Sequence, residues 1–439
     1  MSPMPLLLGA LLLPLSALAA DEAPNYAEDT LTGDWGGTRS AMFKKGLALD
    51  IGYKADLLRN MSGGIEKGGR PISHIDIKLN VDFEKLAGWS GGSGYVNFIE
   101  DHGGKTNAQQ VGSLTGVSNI EVPVNTNRLF QAWLQQEFAD GRGAVLAGLY
   151  PIDSEFATID SGGVFVQPPY GATADIALTR GPSIFNNPAF GFRGRWFSAD
   201  RSAYVMGAVL DGIPGDPNHP RGTHIKFDKG DGIMSIVEIG WKPGAARPAE
   251  PAAAAAAGKD PAPKAEAKEE AAEQIEKYAA GLWRYSSRVA DQFDTNPDGS
   301  PVNRRSWGWY ALAEKTLHQY KGGADLAGFV RISGTDGDST AIKQAINLGI
   351  RVKALLPGRG EDVFGLAYTR AALSSKWRSA QRVLGTDATA AEDAWEITYR
   401  IQAAKWLAVQ PLLQRINHPG GDNSRSAANI FGARVEIAF

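Results

Sequence analysis

Over residues 47 to 57, LALDIGYKADL, every second side chain is apolar: Leu47, Leu49, Ile51, Tyr53, Ala55 and Leu57 share one face, and Asp50, Gly52, Lys54 and Asp56 the other. A period of two is a strand with two different environments. SHIDIKLNVDF, 73 to 83, sets Ile75, Ile77, Leu79, Val81 and Phe83 against His74, Asp76, Lys78, Asn80 and Asp82. In ARVEIAF, 433 to 439, Ala433, Val435, Ile437 and Phe439 oppose Arg434 and Glu436. Sixteen segments read as strands: 47–57, 73–83, 93–101, 128–138, 143–150, 189–197, 202–211, 231–242, 277–287, 307–319, 324–334, 342–356, 361–373, 392–405, 408–416 and 429–439. One such strand fits a soluble sandwich equally well. Many of them, with charges filling the non-apolar face, predict an all-β fold: a transmembrane antiparallel β-barrel with a wet interior. Strands 93–101, 143–150, 202–211, 277–287 and 361–373 alternate poorly, for which the pattern offers no reason.

The connections alternate in length. Long ones follow the odd strands, notably 102–127, 151–188 and 212–230, and the even strands mostly end in tight turns such as ADGRG, SADR and KGGA. Short periplasmic turns, long extracellular loops and an even strand count describe a closed bacterial barrel, since closure removes unpaired edges in lipid. One short-side connection departs from this. Residues 243–276 are rich in Ala, Pro, Lys and Glu and too poor in large apolar residues to offset the entropy of ordering, which predicts a spacer facing the periplasm, with cell-wall contact as its candidate role. Ahead of the strands, MPLLLGALLLPLSALAA reads as a signal peptide cleaved after Ala19, so 1–19 is expected to be removed and 20–46 to form an N-terminal periplasmic segment.

Composition removes other classes. The chain has 439 residues, a net charge of -3 and no cysteine, which argues against nucleic-acid binding and excludes disulfides, thiolate metal sites and cysteine nucleophiles. DTNPDG at 294–299 copies the opening of an EF-hand loop, but Arg305 stands where a bidentate Glu would close it, so turn chemistry explains it better. No HExxH occurs. No cofactor, metal or enzymatic activity is expected.

Several stretches carry a resemblance: LTGDWGGTRSAMFKKGL (31–47), MSGG (61–64), GLYPIDSEFA (148–157), DGIPGDP (211–217), LLPGRGEDVFGLAY (355–368) and EITYRIQAAKWLAVQPLLQRINHPGG (396–421). The chain resembles the carbohydrate-selective porin (OprB) family of Gram-negative outer membranes over nearly its whole mature length, the Ala/Pro-rich insertion being the one large departure. The resemblance implies an outer-membrane barrel, often a homotrimer, passing glucose and related sugars by facilitated diffusion; Phe439 resembles the C-terminal signal for barrel assembly. A general or anion-selective porin, or an enzyme or anchoring barrel, remains open on the residues alone.

Sugar passage needs donors and acceptors that replace water, with binding weak enough to permit exit. On FGFRGRWF the parity puts Arg193 and Arg195 in the lumen and Phe190, Phe192 and Trp196 on lipid. The same parity elsewhere points Glu137, Glu238, Arg331, Lys343, Arg351, Arg400, Gln402, Gln410, Gln414, Arg434 and Glu436 inward. Trp133, between Gln131 and Gln135, either offers sugar C–H groups an aromatic face or packs beneath an inserted loop; Phe130 falls on the lipid parity. The resemblance suggests that loop 151–188 folds inward as a constriction, making Asp153, Glu155 and Asp160 candidate partners for the lumenal arginines.

Overall fold

The computed structural model describes residues 22–243, 274–320 and 323–439. The expected signal peptide, and most of the 243–276 insertion, therefore lie outside the described residues. Among the described residues eighteen strands occur in chain order: β1 (Leu47–Ser62), β2 (Ile72–Asp82), β3 (Gly92–Gly103), β4 (Thr126–Phe138), β5 (Gly143–Tyr150), β6 (Ala189–Phe197), β7 (Ala203–Asp211), β8 (Ile233–Trp241), β9 (Glu276–Tyr285), β10 (Val289–Thr295), β11 (Pro301–Arg304), β12 (Trp307–Gln319), β13 (Asp325–Thr335), β14 (Ile342–Lys353), β15 (Val363–Leu373), β16 (Ala391–Ala404), β17 (Leu407–Asn417) and β18 (Ala428–Ala438). All but β10 and β11 form one antiparallel sheet that closes where β1 pairs with β18. The sixteen barrel strands match the sixteen expected from periodicity to within a few residues at most ends. The separate β10–β11 hairpin was not foreseen; it extends the β9–β12 loop, and DTNPDG forms its tip, where Asp298 accepts from the Ser300 amide at 3.0 Å. It is a turn and not a calcium loop.

Apolar parity faces outward as expected. Phe192, Ile239, Leu282, Leu134 and Phe431 are exposed on the outer surface, as lipid contact requires. None of the described helices is long and apolar enough to cross a membrane, so the strands alone supply the spanning structure.

The interior is wet only in part. From β5 to β12 the inward residues Leu146, Tyr150, Tyr204, Met206, Leu210, Met234, Ile236, Trp283, Tyr310 and Leu312 form one apolar cluster with Ile152, Phe156, Ala157 and Ile176 of the β5–β6 loop. This corrects the expectation of a wholly wet lumen and explains the poor alternation of β5, β7 and β9: both faces are apolar because one meets lipid and the other a loop. On β15 the inward Val363 and Ala367 likewise lie under Val164, Phe165 and Tyr170.

Two β-bulges move side chains off the simple parity. Between the pairs Asn97↔Gln131 and Phe98↔Leu129, the β4 bulge turns Phe130 inward, where it meets the ring of Phe185 at 5.7 Å. The β14 irregularity between Ile342 and Gln344 buries Ile342 inside and leaves Lys343 exposed, so Lys343 is not a lumenal residue as parity had it.

At the short-turn end, the N-terminal segment closes over the β1–β18 seam. Arg39 lies between the rings of Tyr26 (4.3 Å) and Trp35 (5.1 Å) and donates to the main-chain oxygens of Phe439 (2.7 Å) and Leu49 (2.8 Å). Leu31 N donates to Ala438 O at 2.8 Å.

Candidate functional site

The lumen is narrowed by the β5–β6 loop, 151–188, which runs around the inner wall and is stapled to it by inward side chains of the strands. The centre of this attachment is Glu238 of β8. It is wholly buried and accepts from Ala157 N (2.8 Å), Tyr204 Oη (2.6 Å) and Tyr310 Oη (2.6 Å). Two glycines make room for those rings: a Cβ on Gly240 would lie 2.2 Å from Tyr204 Cζ, and one on Gly281 2.2 Å from Tyr310 Cζ. Arg331 of β13, also wholly buried, donates to the carbonyls of Ala157 (2.6 Å), Gly171 (2.7 Å) and Pro169.

The pattern continues around the wall. Glu314 accepts from Asp160 N and Ser161 N, Lys277 donates to Thr158 O, Glu396 accepts from Val166 N and Gln167 N, and Gln410 donates to Val164 O. A second loop, 104–125, is held in the same way: Glu392 accepts from Leu114 N and Thr115 N, Gln414 donates to Val117 O, and Arg434 donates to Asn119 Oδ1. Buried backbone groups need partners, and an inserted loop has no ladder of its own to supply them, so the wall does. Glu238, Arg331 and Arg434 are thus loop anchors or wall ion pairs. Arg434 also forms a bidentate pair with Asp56 at 2.7 and 2.8 Å.

The remaining polar wall lies at β4 to β6. Strand register puts Gln135 opposite Leu146 and Leu146 opposite Arg193, then Glu137 opposite Ala144 and Ala144 opposite Arg195. Arg193 reaches across to Gln135 Oε1 (2.7 Å) and takes Glu155 of the loop through Nε (2.8 Å) and Nη2 (3.0 Å). Arg195 lies 3.5 Å from Glu137 and 3.8 Å from Glu155, with its guanidinium 5.0 Å from the Phe197 ring centroid. Two guanidiniums therefore face two carboxylates. Burial pushes the Glu155 carboxyl up, but Arg193 and then Arg195 more than offset it, and the net shift is downward, so Glu155 is charged at neutral pH.

Of the three loop carboxylates expected to meet lumenal arginines, only Glu155 does so. Asp153 accepts from Phe185 N at 3.1 Å, joining the two arms of the loop, and burial pushes its pKa up to about 6. Asp160 is exposed, and its contribution is its main-chain N–H on Glu314. Among the described residues neither Asp153 nor Asp160 lies within ion-pair distance of an arginine. Trp133 is half-buried, packs on the edge of the large apolar cluster, contacts the Tyr95 ring at 5.4 Å and donates to Gln131 Oε1 at 3.3 Å; this is the packing reading with one side left toward the lumen.

Nearer the short-turn end, Arg351 pairs with Asp325 (3.1 Å), and Arg400 with Glu436 (2.9 Å) and Gln402 (2.7 Å). Tyr204, Tyr310, Lys277, Glu314, Glu392 and Glu396 were not singled out from the sequence. Glu314 and Glu396 sit on inward parity and were legible as lumenal, but their partners are loop amides 153 and 230 positions away. No cluster of metal-binding side chains occurs among the described residues.

The profile of the family described as "Carbohydrate-selective porin, OprB family" matches residues 66–439. Porin B of Pseudomonas aeruginosa is 24% identical over 468 residues of alignment, covering 98% of this chain and 96% of the relative. The high-pH structure of Pseudomonas putida OprB superposes with a TM-score of 0.78 at 18% identity, over 95% of this chain and 100% of that one. The low-pH structure of the same protein gives 0.58 at 16% identity, over 94% and 99%. At these identities the two structures establish a shared fold.

Proposed function

We propose that this chain, which belongs to the carbohydrate-selective porin (OprB) family, passes glucose and related uncharged sugars across the outer membrane by facilitated diffusion. With the short turns periplasmic, the inserted loops descend from the extracellular side and restrict the path from within. The supporting observation is the pairing at β4 to β6: Glu155 and Glu137 neutralise Arg193 and Arg195, leaving a wall dense in hydrogen-bonding groups with no excess of either charge. Such a wall can exchange water for sugar hydroxyls without holding an ion. Trp133 beside it adds an aromatic edge for C–H groups.

That balance also argues against an anion-selective pore. Liposome swelling with glucose, sucrose and a charged solute tests the reading: faster entry of the anion than of glucose would refute it. Current block by added glucose, measured for Arg195→Ala and Trp133→Ala, then weighs each residue; unchanged sugar affinity removes it from the path.

Two further elements belong to the same reading. Self-association as a homotrimer would use the low sector of the wall, where β5 to β9 run 8 to 10 residues. An outward groove of about 570 Å³ lies there, floored by Gly194 and Gly207 and flanked by Phe192, Val209, Val237 and Leu282. Native mass spectrometry of Gly207→Trp, which fills that groove, checks it; an unaltered trimer excludes this face. β8 and β9, which flank the 243–276 insertion, meet it at their short-turn ends, and cell-wall contact is the role we propose for it. Deleting residues 244–273 should lower co-sedimentation with peptidoglycan and leave sugar entry unaltered; unchanged co-sedimentation would exclude that role.

A further inference from the structure

Four barrel strands carry an outward arginine near the loop end of their apolar stripe. On β1 Arg59 follows Tyr53, Ala55 and Leu57, with the exposed Met61 beyond it; on β9 Tyr278, Ala280, Leu282 stops at Arg284; on β15 Phe364, Leu366, Tyr368 stops at Arg370; on β17 Val409, Pro411, Leu413 stops at Arg415. All four arginines are exposed, and all four lie near the loop end of their strand. Register sets each beside an aromatic or carries an aromatic neighbour in the next row: Arg59 opposite Phe431, Arg284 opposite Trp307, Arg415 opposite Trp395, and Tyr368 opposite Trp395 one row below Arg370.

Their pairing is unequal. Arg370 holds Asp393 at 2.6 Å, whereas among the described residues no carboxylate lies within ion-pair distance of Arg59, Arg284 or Arg415; Arg415 has the amide oxygen of Asn429 at 3.0 Å. A guanidinium facing hydrocarbon is costly, and at headgroup depth it is nearly free. Arginine also matches a phosphate with two parallel N–H donors. An outward guanidinium, uncompensated by protein and flanked by an interfacial aromatic, therefore awaits an anion on the lipid side of the wall.

We infer that the extracellular rim is a lipid-binding surface, on which Arg59 and Arg415 hold the phosphate groups of an outer-leaflet glycolipid. Arg59 and Arg415 flank β18 on neighbouring strands, two residues apart in height, so the spacing is about 12 Å from strand separation and rise. One bis-phosphorylated headgroup spans that distance. The surface is separate from the lumen, because β1 and β17 turn these side chains outward while Asp56 and Gln414 face in.

The test uses the delipidated full-length barrel in detergent, titrated with bis-phosphorylated lipid A, with dephosphorylated lipid A and with inorganic phosphate, reading retained lipid by mass spectrometry and the thermal shift. The wild type should retain the phosphorylated lipid in preference to the dephosphorylated one. The Arg59→Gln/Arg415→Gln barrel should lose about thirtyfold in affinity, at about fivefold per interfacial cation. Glucose entry should be unchanged, which separates the rim from the pore. Asp393→Asn, which frees Arg370, should strengthen retention. Equal retention of the two lipids, or equal affinity in the double variant, overturns the inference; displacement of lipid by millimolar inorganic phosphate would assign the arginines to free phosphate and overturn the lipid occupant.

Discussion

Replacing Glu155 by Gln is the sharpest test of charge balance in the pore. Gln keeps the shape and an oxygen for Arg193, so the loop should stay in place, anchored as it is through Glu238, Arg331 and Glu396. What changes is charge: Arg193 and Arg195 would face Glu137 alone, 3.5 Å from Arg195, leaving one net positive charge at the narrowed path. For an ion about 6 Å away, one unit charge is worth ~0.7 kcal/mol at the dielectric of water and ~3 kcal/mol at an effective value of about 20. Preference for an anion should therefore rise roughly 3- to 100-fold at low salt, and shrink as ionic strength screens the site within about 10 Å. The assay is the reversal potential of single channels across a potassium chloride gradient, at low and high salt, with glucose swelling rates alongside. Glucose entry should change by less than about twofold, since an uncharged solute has no Coulomb term. An unaltered reversal potential at low salt would show that Glu155 does not set the charge of the path and would remove the central observation behind uncharged-sugar selectivity.

Other expectations follow from the anchoring. Gly281→Ala places a methyl where the Tyr310 ring lies, so the ring must leave Glu238; overpacking of this kind costs about 1–3 kcal/mol and should lower the temperature at which the barrel's gel mobility changes. Normal heat resistance would show that the ring can move without loss. Asp153 has a pKa of about 6 in the folded chain against an ordinary value near 3.8. A raised acid favours the folded state below its unfolded pKa and loses that contribution as pH rises through about 6, so the loop junction at Phe185 should be more protease-resistant at pH 5 than at pH 8, and Asp153→Asn should flatten the difference. A wild-type barrel equally resistant at both values would refute this. Arg39→Ala removes two main-chain hydrogen bonds and two ring contacts at the seam, a loss of about 2–4 kcal/mol, and should speed fraying of β18 measured by hydrogen exchange. Exchange at wild-type rates would mean that the N-terminal segment does not hold the closing strand.

Amino-acid order by itself determined the barrel. Lipid on one side and a different environment on the other force a period of two, and that period is local, so β1, β2, β6 and β18 could be traced with their inward and outward residues. It also placed Arg193, Arg195 and Glu137 on the inner wall. Where it grew faint, as on β5, β7 and β9, the cause was tertiary: an inserted loop made the inner face as apolar as the outer. Parity failed at Phe130 and Lys343 for a related reason, since a bulge shifts one residue and every assignment near it. Only the folded chain decided which inward charges are free and which are bound. Glu238 and Arg331 look like pore residues in the sequence, yet they hold backbone groups 81 and 174 positions away, because closure brings distant wall and loop to hydrogen-bonding distance and no local pattern records who meets whom.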